Sequence, residues 1–232
     1  MDMSPTASAA TARSSGIPLH WIAAAVLFIL AAMVAGYQAI GLPPVVIVGG
    51  SGLVGLAFWL QTYRFGPLEP EVILPPFLLT VAALEVHMIE EYWTRFGPAM
   101  SRLFDISWSE HSFLMVFAFI GPAIYALTAL GLFWRHPFAG FVAWFIFIGP
   151  GLAEFTHFIF PLLQPAIQPD NAATISGPVS NGVVIEGMPN DYIKITGRYY
   201  FPGLYTAVLP MIPGIYGIIT CLRAASRMAR SV

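Results

Sequence analysis

The sequence contains, inside a run that is otherwise apolar enough to span a membrane, the stretch Glu85-Val86-His87-Met88-Ile89-Glu90-Glu91-Tyr92-Trp93. A charged side chain at the centre of a membrane-spanning helix costs about 2.5–3.5 kcal/mol on insertion scales. At about 100° per residue, His87, Glu90 and Glu91 fall on one side of the helix, and Glu85 falls roughly opposite. The stretch therefore predicts a functional site around the first three residues and a different neighbour for Glu85.

The composition is that of an integral membrane protein. Of the 232 residues, 57% are hydrophobic and 9% are charged, whereas soluble domains average about 25% charged residues. At about 20 residues per span, five or six helices would use most of the chain, which predicts a single domain. The net charge of −2 gives no indication of nucleic-acid binding. The single Cys221 excludes an internal disulfide and a cysteine-based metal site.

The fold predicted from these features is an all-α, polytopic transmembrane helix bundle. Residues 18–222 form its domain, between a disordered tail at 1–17 and a basic tail at 223–232. A long polar loop is predicted at 164–198, and an amphipathic interfacial loop at 95–107. The six predicted spans lie at about residues 19–41, 43–63, 76–94, 108–134, 138–163 and 200–222.

The distribution of arginines predicts the orientation. Six spans place both termini on one side of the membrane, and the short segments on that side contain Arg13, Arg64, Arg135, Arg223, Arg227 and Arg230. By the positive-inside rule, the N- and C-termini are predicted to be cytoplasmic. The loop 164–198 would then be non-cytoplasmic.

The second predicted span contains a glycine pattern that also occurs in nucleotide-binding proteins. Gly50, Gly52 and Gly55 match G-x-G-x-x-G after an apolar run. The fingerprint requires a βαβ unit, and long apolar runs follow here instead. We interpret the glycines as small residues that let membrane helices pack closely, and we expect no nucleotide cofactor.

Polar groups from four spans are predicted to meet at one membrane depth, because odd spans end and even spans begin on the same side. Span five contributes Glu154 and His157 after a predicted helix break at 149–151. Nitrogen and oxygen ligands suit iron, zinc or manganese. The predicted metal ligands are His87, Glu90, Glu154 and His157, and the predicted catalytic carboxyl groups are Glu90, Glu91 and Glu154. Glu91 is the candidate proton carrier.

A second group of residues is predicted to line a substrate pocket on the same side. It consists of Trp93, Glu110, His111, Arg198, Tyr199 and Tyr200. Each of these residues also has a purely structural interpretation. Tyrosine and tryptophan form aromatic belts at the membrane interface, and charged side chains lie at the hydrated ends of spans.

Three motifs together resemble a known family. They are His87-x-x-Glu90-Glu91, Glu154-Phe155-Thr156-His157 and Tyr200-Phe201-Pro202-Gly203-Leu204-Tyr205-Thr206-Ala207. From about Leu74 to Leu222, the chain resembles the family of small integral membrane proteins named for its HXXEE motif. That family has no established reaction, so the resemblance implies a site and does not define its chemistry.

Three functions are compatible with this pattern. The first is a membrane-embedded metalloenzyme that acts on a lipophilic substrate entering from the bilayer. The second is metal-free acid/base isomerisation or cyclisation of a sterol or isoprenoid lipid; emopamil-binding sterol isomerases have a similar architecture but share no motif. The third is a non-enzymatic binder or transporter of a cation, proton or lipid. Because the ionisable groups crowd one half of the predicted bundle, the third hypothesis is disfavoured. We favour the first hypothesis, followed by the second.

Overall fold

The computed structural model describes residues 16–104, 106, 108, 110–167, 179–180, 183–184 and 199–231. The described chain is helical apart from turns and one antiparallel pair of two-residue strands, β1 (Val179–Ser180) and β2 (Val183–Val184). Six helices are long and apolar enough to cross a membrane, namely Leu19–Ile40, Leu42–Tyr63, Pro70–Trp93, His111–Phe133, Pro137–Phe158 and Val208–Arg230. The predicted all-α, six-span architecture is confirmed.

The first three spans are continuous helices: α1 (Leu19–Ile40), α2 (Leu42–Tyr63) and α3 (Pro70–Trp93). The third span was predicted to begin at residue 76, but α3 begins six residues earlier and includes Pro75 and Pro76. Pro70 occupies the first helical turn, where its missing N–H costs nothing. The predicted glycine packing in α2 is confirmed at Gly52 and Gly55, where a Cβ would lie 2.8 Å from Ile29 and 3.0 Å from the backbone of Phe145, but not at Gly50, where it would meet nothing within 4 Å.

The segment after α3 differs from its prediction. Residues 96–104 form a short helix, α4 (Phe96–Phe104), where we predicted a loop at the membrane interface. Its apolar face is buried against protein, with Phe96, Met100 and Leu103 in one aromatic-rich core cluster. The aromatic side chains that follow in the chain, such as Trp108 and Phe113, provide the surface on which this face packs.

Spans four and five both change their helical winding at a proline. Span four consists of α5 (Glu110–Leu114), a π-helical turn (Met115–Ile120) and α6 (Gly121–Phe133). Span five consists of α7 (Pro137–Ile146), a π-helical turn (Phe147–Gly151) and a 3₁₀ segment (Leu152–Phe158). Pro150 removes an intrahelical hydrogen bond within the π turn. The break predicted at 149–151 is confirmed.

The end of the chain departs from the predicted boundaries at two places. Helix α8 (Phe160–Ile167) includes the first residues of the predicted loop, most of which lies outside the described residues. The last span, α9 (Val208–Arg230), begins eight residues later than predicted, because Pro202 and Gly203 form turns before it. Residues 223–230, predicted as a tail, continue this helix. The tail predicted at 1–17 also lies almost wholly outside the described residues.

The packing of the spans places the polar residues inside the bundle. Helix α3 packs mainly against α9, α1 against α2, and α2 against α7. At the contact between span five and α9, a Cβ on Gly214 would lie 2.8 Å from Gly151 Cα, so the two backbones touch. Because of this close approach, the start of α9 and the turns that precede it lie against the 3₁₀ segment.

Candidate metal centre

Four side chains from two spans converge on a common point in the bundle. They are His87 and Glu91 of α3 and Glu154 and His157 of the 3₁₀ segment, and one ligand atom from each lies within 4.8 Å of the other three. His87 Nε2 is 3.4 Å from Glu91 Oε1 and 3.2 Å from Glu154 Oε2. His157 Nε2 is 3.1 Å and 3.0 Å from the same two oxygens. Nitrogen and oxygen atoms thus alternate around the point.

The local winding of each span explains why these atoms meet. His87 and Glu91 are four residues apart in an α-helix, so they lie on one face. Glu154 and His157 are three residues apart in a 3₁₀ helix, where such residues are eclipsed. The change from π to 3₁₀ winding after Pro150 therefore aligns the second pair with the first.

The cluster is almost fully enclosed. His87 is 0% exposed, and Glu91 and His157 are each 2% exposed. The side chain of Glu154 is 14% exposed and is the most accessible of the four. Any ligand or water that reached the centre would therefore meet Glu154 first.

The outer nitrogen of each imidazole is held by the turns that precede α9. Thr206 donates its hydroxyl hydrogen to Glu90 Oε2 at 2.6 Å, so its oxygen accepts a hydrogen bond from His87 Nδ1 at 2.9 Å. His157 Nδ1 donates to the carbonyl oxygen of Pro202 at 2.9 Å, because a carbonyl can only accept. Both rings therefore carry hydrogen on Nδ1 and present Nε2 to the cluster, as metal-ligating histidines do.

Gly203 is the residue that lets this turn approach the two rings. Its φ of 89° lies in the left-handed region, which favours glycine. A Cβ at this position would lie 2.5 Å from His157 Cε1 and 2.9 Å from His87 Cε1. A side chain larger than hydrogen would displace the imidazoles.

The four ligand atoms are close enough together that they could share a metal ion. Neighbouring ligand atoms of a tetrahedral ion with bonds of about 2.0–2.1 Å lie about 3.3 Å apart. The four adjacent nitrogen–oxygen pairs here are 3.0–3.4 Å apart, and all four ligand atoms lie within 4.8 Å of one another. Buried His87 Nε2 also has no hydrogen-bond partner among the residues that the structure describes. It lies 3.4 Å and 3.2 Å from one oxygen of each carboxylate, a position that a shared cation would explain.

The cluster differs from the predicted ligand set at one position. Glu90 does not join the other three predicted ligands, and Glu91 takes its place. The oxygens of Glu90 accept hydrogen bonds from the hydroxyl groups of Tyr200 and Thr206 and from the backbone N–H groups of Tyr205 and Thr206. Glu90 therefore binds the segment before α9 and does not join the cluster. On the helix it lies beside Glu91, and the sequence alone did not distinguish the two.

The residues predicted to bind substrate lie at several different places. Tyr200 contacts Glu90, whereas Tyr199 donates from its hydroxyl to the carbonyl of Phe158. Trp93 lines a cavity on another side of α3, and His111 is exposed on α5. Arg198 and the side chain of Glu110 lie outside the described residues, so their convergence stays a prediction.

Sequence reasoning missed the roles of Pro202, Gly203 and Thr206. The motif that contains them was singled out, but only Tyr200 was given a role. The Pro-Gly pair was the available signal, because it predicts a turn where the span was expected to be helical already.

The comparisons with known proteins supply no name for this site: no family model, no curated protein and no solved structure matches the chain. The resemblance to the HXXEE family stays a prediction. The chain is thus a membrane-helical protein with a buried histidine–glutamate cluster that could bind a metal ion.

Proposed function

We propose that this chain is a membrane-embedded metalloenzyme that acts on a lipophilic substrate. The observation that carries the proposal is the buried Nε2 atom of His87, which has no hydrogen-bond partner in the described part of the chain and lies 3.4 Å and 3.2 Å from carboxylate oxygens of Glu91 and Glu154. Two neutral imidazoles and two carboxylates are four electron-pair donors, and they repel one another unless a cation lies between them. A divalent ion balances the two carboxylate charges.

The difference in burial between the four ligands suggests their roles. His87, Glu91 and His157 are the enclosed residues and would hold the ion, while Glu154 lies at the accessible side. Catalytic zinc sites combine three protein ligands with one exchangeable position. Glu154 is therefore the candidate for the group that gives way to substrate or water and then accepts or donates a proton. Zinc, iron and manganese all suit this donor set.

The surroundings of the cluster support the proposal of a lipophilic substrate. His87 and Glu91 lie within the membrane-spanning length of α3, and Phe96 packs 5.1 Å from the His157 ring, centroid to centroid. A substrate reaching Glu154 must pass apolar side chains or lipid before it meets a polar group. The metal would supply Lewis-acid or redox chemistry when bound.

A second function is favoured by the same distances. Separations of 3.0–3.4 Å between nitrogen and oxygen also fit hydrogen bonds, so two shared protons could balance the cluster instead of a metal. Such a site would perform acid/base isomerisation or cyclisation of a lipid. The absence of a hydrogen-bond partner for His87 Nε2 in the described part of the chain weighs against this alternative, because a protonated nitrogen would need an acceptor.

Elemental analysis of the detergent-purified protein tests the proposal. We expect about one equivalent of zinc, iron or manganese in the wild type and in Glu71→Gln, whose exposed carboxyl lies in the first turn of the same helix. We expect the metal to be lost in His87→Ala and in Glu91→Gln, the second of which preserves side-chain shape. Absence of metal from folded wild type, prepared without chelators and after reconstitution with each ion, would overturn the proposal and favour the acid/base alternative.

A further inference from the structure

A cavity of about 310 Å³ lies on the other side of α3, against the start of span four. Its lining is apolar and aromatic except for one carboxyl group, and it includes Glu85, Met88, Tyr92, Trp93, Phe113 and Phe117. Pockets for small ligands typically measure about 300–1,000 Å³ and combine apolar walls with a few polar groups. The cavity has the size and the lining of a binding site.

Glu85, which is half-buried, supplies the carboxyl group of this cavity. Its Oε1 atom is buried and has no hydrogen-bond partner in the part of the chain that the structure describes. An unsatisfied buried polar group costs about 1–3 kcal/mol, and more when it is charged. A ligand that paired with this carboxyl group would recover that free-energy cost. The carboxyl group would therefore favour ligands that can form a hydrogen bond or an ion pair with it.

We propose that this cavity binds a lipophilic amine through Glu85. A carboxylate pairs with a cation, and the rings of Tyr92, Trp93, Phe113 and Phe117 surround the same space. Aromatic faces attract ammonium groups, most strongly where water is excluded. The one acidic group and the ring-rich wall therefore favour the same class of ligand, an ammonium head on an apolar body.

The position of the cavity favours entry from the membrane. Trp93 is 78% exposed and Ile89 is 51% exposed at its rim, whereas Met88 and Phe113 at its floor are 8% and 3% exposed. Since these residues belong to membrane-spanning helices, the rim faces lipid. The ligand must therefore partition into the bilayer first.

A free amine fits this position better than the headgroup of a phospholipid. Glu85 lies eight residues before Trp93, the last residue of α3, which places it about 12 Å from the helix end. A phospholipid amine would bring its phosphate to the same depth, where the Glu85 carboxylate repels it and the apolar wall leaves it unpaired. A simple amine brings no such group.

The proposed amine site does not depend on the metal centre. Glu85 lies roughly opposite His87 and Glu91 on α3, as the helical spacing predicts, and none of the four clustered residues lines the cavity. Amine binding is therefore expected to persist when the metal is removed. Failure of one proposal leaves the other standing.

The test uses the full chain in phosphatidylcholine nanodiscs with N,N-dimethyldodecylamine as the probe. The control ligand is N,N-dimethyldodecanamide, which has the same chain length and no charge. The concentration dependence of the thermal unfolding midpoint gives an apparent Kd for each. We expect saturable stabilisation by the amine and at least tenfold weaker binding of the amide. Equal binding of amine and amide to the wild type overturns the proposal without the need for any variant.

Two further measurements test whether the amine binds at Glu85 and whether the site instead binds a phospholipid headgroup. Glu85→Gln is expected to reduce amine affinity to that of the amide, whereas Glu71→Gln, on the same helix, keeps the wild-type affinity. Wild-type affinity in Glu85→Gln contradicts the assignment. Replacing half of the lipid by phosphatidylethanolamine is expected to leave amine binding unchanged, and loss of amine binding there would identify a phospholipid site instead. Chelator-treated wild type is expected to bind the amine normally.

Discussion

On one side of α3, the carboxyl group of Glu91 faces two imidazoles and a second carboxyl group, and the turns before α9 hold the two imidazoles. On the other side, the carboxyl group of Glu85 faces a cavity, and its Oε1 atom has no hydrogen-bond partner among the described residues. Both groups lie within the membrane-spanning length of one helix. The same helix therefore engages one carboxyl group with side chains of its own protein and leaves an oxygen of the other, half-buried carboxyl group without a hydrogen-bond partner among the described residues.

The difference lies in what packs against each side. The side with the histidine–glutamate cluster contacts the turns before α9, which supply Pro202, Gly203 and Thr206 to the rings and to Glu90. The cavity side contacts the start of span four, whose Phe113 and Phe117 offer no hydrogen bond. Substitutions that disturb the first side should therefore destabilise the protein, and removal of Glu85 should not.

The largest effect is expected at Gly203, where two rings meet the backbone. Gly203→Ala should cost about 1–2 kcal/mol through its left-handed φ and about 1–3 kcal/mol more through overpacking against both imidazoles. Gly66→Ala is the matched control, because Gly66 has a φ of 121° but nothing within 4 Å of an added Cβ. Unfolding in mixed micelles with increasing SDS measures both variants. Equal losses of stability would show that the turn does not press on the rings.

The next effect is expected at Thr206, which links Glu90 to His87. Thr206→Val removes the hydroxyl group that accepts from His87 Nδ1 and donates to Glu90. Loss of such an outer partner typically weakens metal binding by about 10–100-fold. A competition titration with a chelating dye measures this change.

Thr80→Val provides the control for the hydroxyl group itself. Thr80 is also buried in α3, but its hydroxyl donates only to the carbonyl of Pro76 within the helix. We expect its metal affinity to match that of the wild type. If the two valine variants lose metal affinity equally, Thr206 does not orient His87, and its hydrogen bonds to His87 and Glu90 do not contribute to metal binding.

Much of this comparison could be predicted from the sequence, because it depends on helical periodicity and on the cost of charge in a membrane. The spacing of His87 and Glu91 placed them on one face and Glu85 on another, and the glycine-proline break before Glu154 was evident as a composition change. These are local properties of a chain that must satisfy its backbone hydrogen bonds inside lipid.

The choice between Glu90 and Glu91 could not be predicted in the same way. Both glutamates lie on the polar side of α3. The segment before α9, more than 100 residues later in the chain, donates hydrogen bonds to Glu90, and Glu91 is the one that joins the cluster. The sequence predicted a span beginning at residue 200, whereas the turns through residue 207 displace its start and supply the partners of Glu90. A contact between residues so far apart in the sequence produces no periodic pattern from which it could be predicted.

The smallest effect is expected from replacing Glu85 by an apolar residue of similar length, and the same substitution at Glu90 provides the comparison. Glu85→Met should raise the free energy of unfolding by about 1 kcal/mol, because it removes an unpaired polar group from an apolar cavity. Glu90→Met should lower it instead, since four hydrogen bonds to the turn segment are lost. SDS unfolding measures both, with metal content determined on the same samples. Because the substitution is identical, opposite signs would show that the two sides of the helix satisfy their carboxyl groups differently, and a loss of stability in both would mean that Glu85 already has a partner.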